Sequence, residues 1–252
     1  MKIIGVIPSR YQSTRLQGKP LEDICGKPMV WWVYERAKTV HGLDDLVVAT
    51  DDKRIADTCD LYGMKYIITS SSHDTPTSRI YEVSTKIEGD YFVFISGDEP
   101  LINTDSIEKI VATARETKAD AVNAMIKITH APEVIDSSNI KVVTNSRGYL
   151  LYTTRSPLPY PKGRLDYDYM KFVGIGAFSR QSLKVFHDTP KSKLEQIEEC
   201  DLMRFIDQDI KVKMVEVTCQ SLSVDTAKDL EIVREKIQNS IASRDGGIIG
   251  KS

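Results

Sequence analysis

The segment Pro8-Ser9-Arg10-Tyr11-Gln12-Ser13-Thr14-Arg15-Leu16-Gln17-Gly18-Lys19-Pro20 puts three cations, two adjacent hydroxyls and a glycine into one loop. It follows residues 2–8, an apolar run that reads as a strand buried on both faces of a parallel sheet. Open α/β sheets bind ligands beyond the carboxyl ends of their strands. There Arg10, Arg15 and Lys19 can together offset much of a triphosphate's charge, and Gly18 lets the backbone approach it closely. The competing reading is a solvated basic loop. The loop matches neither the P-loop pattern nor the G-x-G-x-x-G dinucleotide pattern, so a bound triphosphate is held by another device.

Two acidic positions complement that loop. Asp98, in Ser96-Gly97-Asp98-Glu99-Pro100, stands in a tight turn directly after the apolar run 91–95. It is placed either to hold Mg²⁺ or to cap local amides. Asp225, in Val224-Asp225-Thr226-Ala227-Lys228-Asp229-Leu230, precedes an apolar-periodic helix, where a helix N-cap is its local reading. If the fold sets Asp225 beside Asp98, two carboxylates on one Mg²⁺ face three cations, an arrangement suited to phosphoryl or nucleotidyl transfer. Asp166-Tyr167-Asp168 and Asp207-Gln208-Asp209 match the D-x-D of metal-dependent glycosyltransferases, but neither follows a central strand, and both read as surface acids. His73 can read a base or phosphate, although a lone loop histidine is more often polar surface, and Trp31 and Trp32 read as core or dimer contacts rather than a stacking platform. Glu195, Glu198, Glu199 and Asp201 read as a solvated helix face from which one acid can turn toward an acceptor.

The positioning elements alternate in type. Strands are expected at 45–50, 65–69 and 91–96, with helices at 28–40, 52–61, 77–87 and 104–118 between or after them. This order implies a doubly wound, mostly parallel sheet. Residues 140–145 and 149–154 flank Ser146-Arg147-Gly148 as a hairpin, and 172–178 reads as a strand. Helices are expected at 192–207 and 226–238, with a strand at 211–217. The economical organisation is one α/β domain over 1–240 with an inserted antiparallel lobe at about 130–180, and a flexible tail over 241–252.

Composition narrows the class. With 252 residues, 41% hydrophobic and 28% charged, the chain is of ordinary globular type. Its 34 Lys and Arg against 36 Asp and Glu leave a net charge of −2, so no global basic field favours nucleic acid. No apolar stretch approaches the ~20 residues of a membrane span. The start has too short an apolar run for a signal peptide. Cys25, Cys59, Cys200 and Cys219 form no C-x-x-C pair, which points to thiols and a cytoplasmic setting.

Seven motifs then carry a resemblance: IPSRYQSTRLQGKPL (7–21), VATDD (48–52), GDEPLI (97–102), IKVV (140–143), TRSPLPYP (154–161), LEQIE (194–198) and VDTAKDLE (224–231). In this order they resemble the 3-deoxy-D-manno-octulosonate (KDO) cytidylyltransferase, or CMP-KDO synthetase, family from residue 3 to about 236. The resemblance implies a GT-A-like α/β fold and a homodimer. It also implies Mg²⁺-dependent transfer of CMP from CTP to the anomeric hydroxyl of an acidic sugar, releasing pyrophosphate, for lipopolysaccharide and related surface polysaccharides. It assigns Arg10, Ser13, Arg15 and Lys19 to the triphosphate, and the loop 70–79, with Ser71 and Arg79, to the cytosine. Asp98 and Asp225 fall on the metal, Arg15, Lys19 and Asp98 on the chemistry, and Arg155 on the acceptor's acid group. Arg204 is a weaker candidate for the acid group, because Glu198 and Glu199 are alternative partners.

The departures concentrate at the acceptor. Where the family has Gln before Gly-Asp-Glu-Pro, this chain has Ser96; where it has His-x-Gly-x-Tyr, the run is Phe172-Val173-Gly174-Ile175-Gly176. A sugar-contacting Gln is replaced by Leu202, and S-G-T-D-R becomes Thr75-Pro76-Thr77-Ser78-Arg79. The acceptor set Ser96, Arg155, Phe172, Asp201 and Leu202 therefore leads to an expectation of intact nucleotide chemistry on KDO or a KDO-like acid, with an acceptor other than ordinary KDO as the alternative. A modified octulosonate, an amino-sugar acid or a phosphonate fits that alternative. A GT-A glycosyltransferase and a non-catalytic nucleotide binder are the rival classes.

Overall fold

The computed structural model describes residues 1–12, 16–163, 166–218 and 222–246. In chain order these form β1 (Ile3–Ser9), a 3-10 turn (Lys19–Leu21), β2 (Asp23–Ile24), β3 (Lys27–Pro28), α1 (Met29–Ala37), β4 (Asp45–Thr50) and α2 (Lys53–Tyr62). Then follow β5 (Tyr66–Ile68), α3 (Pro76–Lys86), β6 (Tyr91–Ile95), α4 (Thr104–Thr117), β7 (Ala121–Lys127), α5 (Ala131–Ile135) and β8 (Lys141–Thr144). The remainder is β9 (Leu150–Thr154), β10 (Met170–Ser179), α6 (Arg180–Asp188), α7 (Lys193–Glu198), α8 (Leu202–Asp207), β11 (Val212–Glu216) and α9 (Ala227–Gly246).

The main sheet runs β11-β7-β10-β6-β1-β4-β5, with β8 paired to β10 and β9 to β8. The β6-β1-β4-β5 and β7-β11 ladders are parallel, and β10 alone on that path is antiparallel to its neighbours. β1 is central because it is apolar on both faces. Ile3 and Ile7 enter one core with Val30, Val33, Ile55 and Ile107, whereas Ile4 and Val6 enter the other with Ile80, Val83, Phe178 and Phe205. A third cluster (Ile24, Met29, Val224, Leu230, Val233 and Ile237) seats α9 against the β2–β3 hairpin.

The expected α/β architecture is present, with three differences. β10 belongs to the segment expected as an inserted lobe, yet it lies between β6 and β7 in the main sheet. A Cβ on Gly176 would stand 2.7 Å from Asn123 Oδ1, so the glycine permits this close seating. Residues 192–207 are not one helix. Glu199 adopts the left-handed conformation at φ 50° and ends α7, after which Cys200 and Leu202 turn into the core. A single left-handed residue is invisible to helical periodicity. Finally, α9 continues past 238 to Gly246, so residues 241–246 of the expected tail (241–252) are helical, and its remainder, 247–252, lies outside the described residues. β7, α5 and α6 were not expected from the sequence.

Candidate active site

The cation loop leaves the carboxyl end of β1 and is fastened at both ends. Gly18, at φ 72°, donates its amide to Tyr11 O at 2.9 Å, and a Cβ there would press on the Tyr11 ring at 3.1 Å. The Arg54 guanidinium lies 3.3 Å from the centre of that ring and is held by Asp52 through Nε–Oδ1 (2.9 Å) and Nη2–Oδ2 (2.7 Å). Asp52 also caps α2 by accepting from the Arg54 amide. Ser13 and Arg15, expected on the triphosphate, lie outside the described residues.

Lys19 emerges from this loop with its side chain only 11% exposed. Its Nζ donates to Asp98 Oδ2 at 2.9 Å and to Asp225 Oδ1 at 3.2 Å. Two carboxylates 127 positions apart in the chain thus converge on one ammonium. Their meeting has local causes. A Cβ on Gly97 would lie 2.6 Å from Pro8 O, so glycine lets the acidic turn pack directly on the end of β1. The Val224 amide donates to Asp98 O at 2.9 Å, tying the entrance of α9 to that turn. The N-cap role belongs to Thr226 rather than Asp225. Thr226 Oγ1 accepts from the Asp229 amide, and the Asp229 carboxylate accepts from the amides of Asp225 and Thr226. Ser96, expected at the acceptor, donates its hydroxyl to Asp98 Oδ1 at 2.7 Å and so orients that carboxylate.

Arg79 and Arg10 stand on the other side of the acidic turn. A cleft of about 180 Å³ is lined by Pro8, Arg10, His73, Asp74, Thr75, Pro76, Arg79 and Asp98. Arg79 is buried and donates to Asp51 Oδ2 at 3.0 Å and to the Thr69 hydroxyl. His73, for which the sequence offered either polar surface or a contact to base or phosphate, is a wall of this cleft. Its ring is fixed between Glu82 and the Ser78 hydroxyl, the latter at 3.2 Å. Burial would raise the Glu82 carboxyl, but hydrogen bonds from Lys86, His73 and the Ser70 amide hold it at about 2. Ser71 sits exposed at the tip of the turn that Glu82 anchors.

Pro76 is shared with a second cavity, of about 190 Å³, whose lining includes Phe94, Asn123, Phe172, Phe178, Asp201 and Leu202. Proline suits this position because it is the first residue of α3, behind the Thr75 cap. Three of the expected acceptor residues therefore meet here. Burial pushes the Asp201 carboxyl above the usual carboxylate range, opposed by hydrogen bonds from Thr77 and Thr75. Asp201 also faces a wider open cleft of about 800 Å³ bounded by Asp74, Lys191, Glu195 and Glu199.

The two acceptor arginines are engaged elsewhere. Arg155 Nε donates to Glu198 O (3.0 Å) and Nη1 to Ser137 O (2.9 Å), tying the end of β9 to α7 and to the loop after α5. Arg204 forms a bidentate pair with Glu195 at 2.7 and 2.6 Å, not with Glu198 or Glu199, and lies 3.7 Å from the centre of the Phe186 ring. The D-x-D decoys are surface acids, with Asp168 paired to Lys127 and Asp207 at the end of α8. Trp31 and Trp32 pack edge to face, and Trp32 Nε1 donates to Ile24 O.

Among the described residues no three His, Cys, Asp or Glu side chains converge as a metal cage, and no helix is long and apolar enough to cross a membrane. A sheet edge that gathers Arg10, Lys19 and Arg79 about a two-carboxylate centre is that of an α/β nucleotidyltransferase. A cytidylyltransferase family model matches residues 4–214. The 3-deoxy-manno-octulosonate cytidylyltransferase of Escherichia coli is 39% identical over 241 residues, covering 96% of this chain and 98% of that protein. Its mitochondrial counterpart in Arabidopsis thaliana is 36% identical, covering 91% of this chain and 81% of that protein. The solved CMP:2-keto-3-deoxy-manno-octonic acid synthetase complexed with CTP superposes with a TM-score of 0.91 at 38% identity, covering 95% of this chain and all 100% of that one. The 4-diphosphocytidyl-2C-methyl-D-erythritol synthase of Anaerococcus prevotii shares the fold at a TM-score of 0.61 and 17% identity, over 94% of this chain and 99% of that one. The chain belongs to the 3-deoxy-manno-octulosonate cytidylyltransferase family and is a CTP-dependent cytidylyltransferase.

Proposed function

We propose that the protein transfers CMP from CTP to the anomeric hydroxyl of a 2-keto-3-deoxy sugar acid of the manno-octulosonate class, for cell-surface polysaccharide synthesis. The acceptor oxygen bonds to the α-phosphorus, the bond from that phosphorus to the bridging oxygen breaks, and pyrophosphate leaves with the electron pair. The hydroxyl proton passes to solvent. No protein nucleophile is required. The observation that carries the reading is Lys19 Nζ poised between Asp98 and Asp225, beside a cleft bearing Arg10 and Arg79.

Each residue has a task in this reaction. Lys19 and Arg10 meet charge that builds on the phosphate oxygens. Ser96 fixes Asp98, and the Arg54–Tyr11 contact holds the cation loop in register. Arg79, His73 and the 70–72 turn frame the nucleoside end. The two carboxylates already face a cation, the Lys19 ammonium, so they fit a divalent ion. Mg²⁺ suits them because it is held by one or two carboxylates, with substrate phosphates and water completing its shell. When bound, Mg²⁺ supplies charge neutralisation for the triphosphate.

A homodimer is supported by exposed apolar side chains on and around the β8–β9 lobe, with Ile135 74%, Leu151 53%, Tyr160 81% and Ile197 76% exposed. Cys25, Cys59 and Cys200 are free thiols, which suits the cytoplasm; Cys219 lies outside the described residues. The test is pyrophosphate release from CTP and Mg²⁺ with KDO and related acids. Release dependent on acceptor, metal and enzyme is expected. CTP binding without release on any 2-keto-3-deoxy sugar acid would overturn the reading.

A further inference from the structure

The nucleotide cleft and the wide cleft beside it meet along one short stretch of chain. His73 lines the first, Asp74 and Thr75 line both, and Thr75 also hydrogen-bonds the Asp201 carboxyl on the far side. Facing them across the wide cleft is the connection between α6 and α7, with Pro190 and Lys191 in its wall. Lys191 Nζ reaches Asp74 Oδ2 at 2.5 Å, so an ion pair spans the two walls. The hydrogen bond from Lys191 holds the Asp74 carboxyl below the usual carboxylate range and raises the Lys191 ammonium, so both stay charged around neutral pH.

Each end of the pair is fixed from its own side. The Ser70 amide and the His73 ring bind Glu82, and Thr75 caps α3 by accepting from the Ser78 amide at 3.2 Å. Opposite, Gln196 Nε2 donates to Lys191 O at 3.0 Å, Arg204 Nη1 donates to Thr189 O at 3.2 Å, and Ser192 caps α7. The bridge itself is weak, because the Lys191 and Asp74 side chains are 41% and 60% exposed, and such a pair is worth a factor of about five at most. A contact of that strength adds little to folding, yet it can be made and broken on every turnover. We infer that Asp74 and Lys191 are positioning residues whose ion pair straps the nucleotide loop to the acceptor-side wall, so that filling the nucleotide cleft improves binding of the sugar acid beside it. A nucleotide against Arg10, His73 and Arg79 fixes residues 73–75, and these fix Lys191 through Asp74 and Asp201 through Thr75. The acceptor then meets a wall whose ordering it no longer has to supply. This rests on the proposed cytidylyl transfer and adds a coupling between its two substrates.

The experiment titrates KDO into the full chain by calorimetry, with Mg²⁺ and with or without saturating α,β-methylene-CTP, whose bridging carbon blocks the transfer. The native protein should bind KDO about fivefold tighter or more when the analogue is present. In Asp74→Asn and in Lys191→Met that enhancement should fall about two- to fivefold. The double variant Asp74→Lys with Lys191→Asp reverses the pair and should recover the enhancement, which a role confined to folding would not. Both positions are exposed, so the variants should fold, and Tm checks that they do. KDO binding no tighter with the analogue in the native protein, an enhancement unmoved in both single variants, or one that the reversed pair does not recover would each overturn the inference while leaving cytidylyl transfer intact. Absence of pyrophosphate release from CTP and Mg²⁺ with every 2-keto-3-deoxy sugar acid would instead fail the proposed function itself.

Discussion

Replacing Lys19 by methionine is the sharpest probe of the site. The substitution keeps an unbranched stem of similar length and removes the ammonium that stands 2.9 Å from Asp98 Oδ2 and 3.2 Å from Asp225 Oδ1. Both carboxylates have side chains about a third exposed, at 30% and 35%, so water takes over much of their solvation once the cation is gone. The cost to folding is therefore about 1 kcal/mol or less, a Tm change within about 4 °C. The effect on chemistry is larger, because a fixed charge aimed at developing negative charge acts in the transition state. Loss of such a group costs about 3–4 kcal/mol, or about 10²–10³ in kcat. Steady-state pyrophosphate release should show that fall in kcat with a much smaller change in KM for CTP. Calorimetry without nucleotide should show tighter Mg²⁺ binding in Lys19→Met, since the two carboxylates no longer hold an internal cation. A folded variant with kcat within tenfold of the native protein would place the reacting phosphate away from Lys19 and refute the reasoning.

Other perturbations test the supporting structure. Glu195→Ala leaves the Arg204 guanidinium buried without its bidentate partner, so a loss of about 3–5 kcal/mol is expected, a fall in Tm on the order of 10 °C; a loss below about 1 kcal/mol in chemical denaturation would show the pair to be dispensable. Gly97→Ala puts a Cβ 2.6 Å from Pro8 O, which should shift the acidic turn, destabilise by about 1–3 kcal/mol and depress turnover; unchanged kinetics would mean that the turn adjusts freely. Glu82, at about 2 against an ordinary 4.5, favours its ionised form in the fold. Its stabilisation is full above pH 4.5 and is lost as pH falls toward 2, whereas Glu82→Gln lacks it throughout, so the stability difference between the two proteins should shrink across that window. A difference that stays flat there would contradict the assigned hydrogen bonds.

Local chemistry was legible in the residues themselves. Arg10 and Lys19 after an apolar strand, and Asp98 in a Gly/Pro turn after another, could be placed at strand ends from the sequence because strand burial and turn chemistry are short-range properties. The apolar runs of β1, β4 and β6 likewise declared a parallel sheet. Asp225 was ambiguous from sequence, since a helix start offers the same residue a capping role; the Val224–Asp98 backbone bond and the Thr226–Asp229 cap decide it in three dimensions. The surroundings of His73 and Arg155 were out of reach for a related reason. A lone side chain's task depends on which distant groups the fold brings to it, Glu82 for one and the α7 carbonyl for the other. The break at Glu199 and the insertion of β10 between β6 and β7 were also out of reach, because one left-handed residue and one strand order leave no periodic trace. The sequence by itself thus determined the class of chemistry and the type of sheet. The tertiary structure alone decided that Asp98, Asp225 and Lys19 meet, and that Phe172 and Leu202 share one cavity with Asp201, since both depend on contacts between segments far apart in the chain.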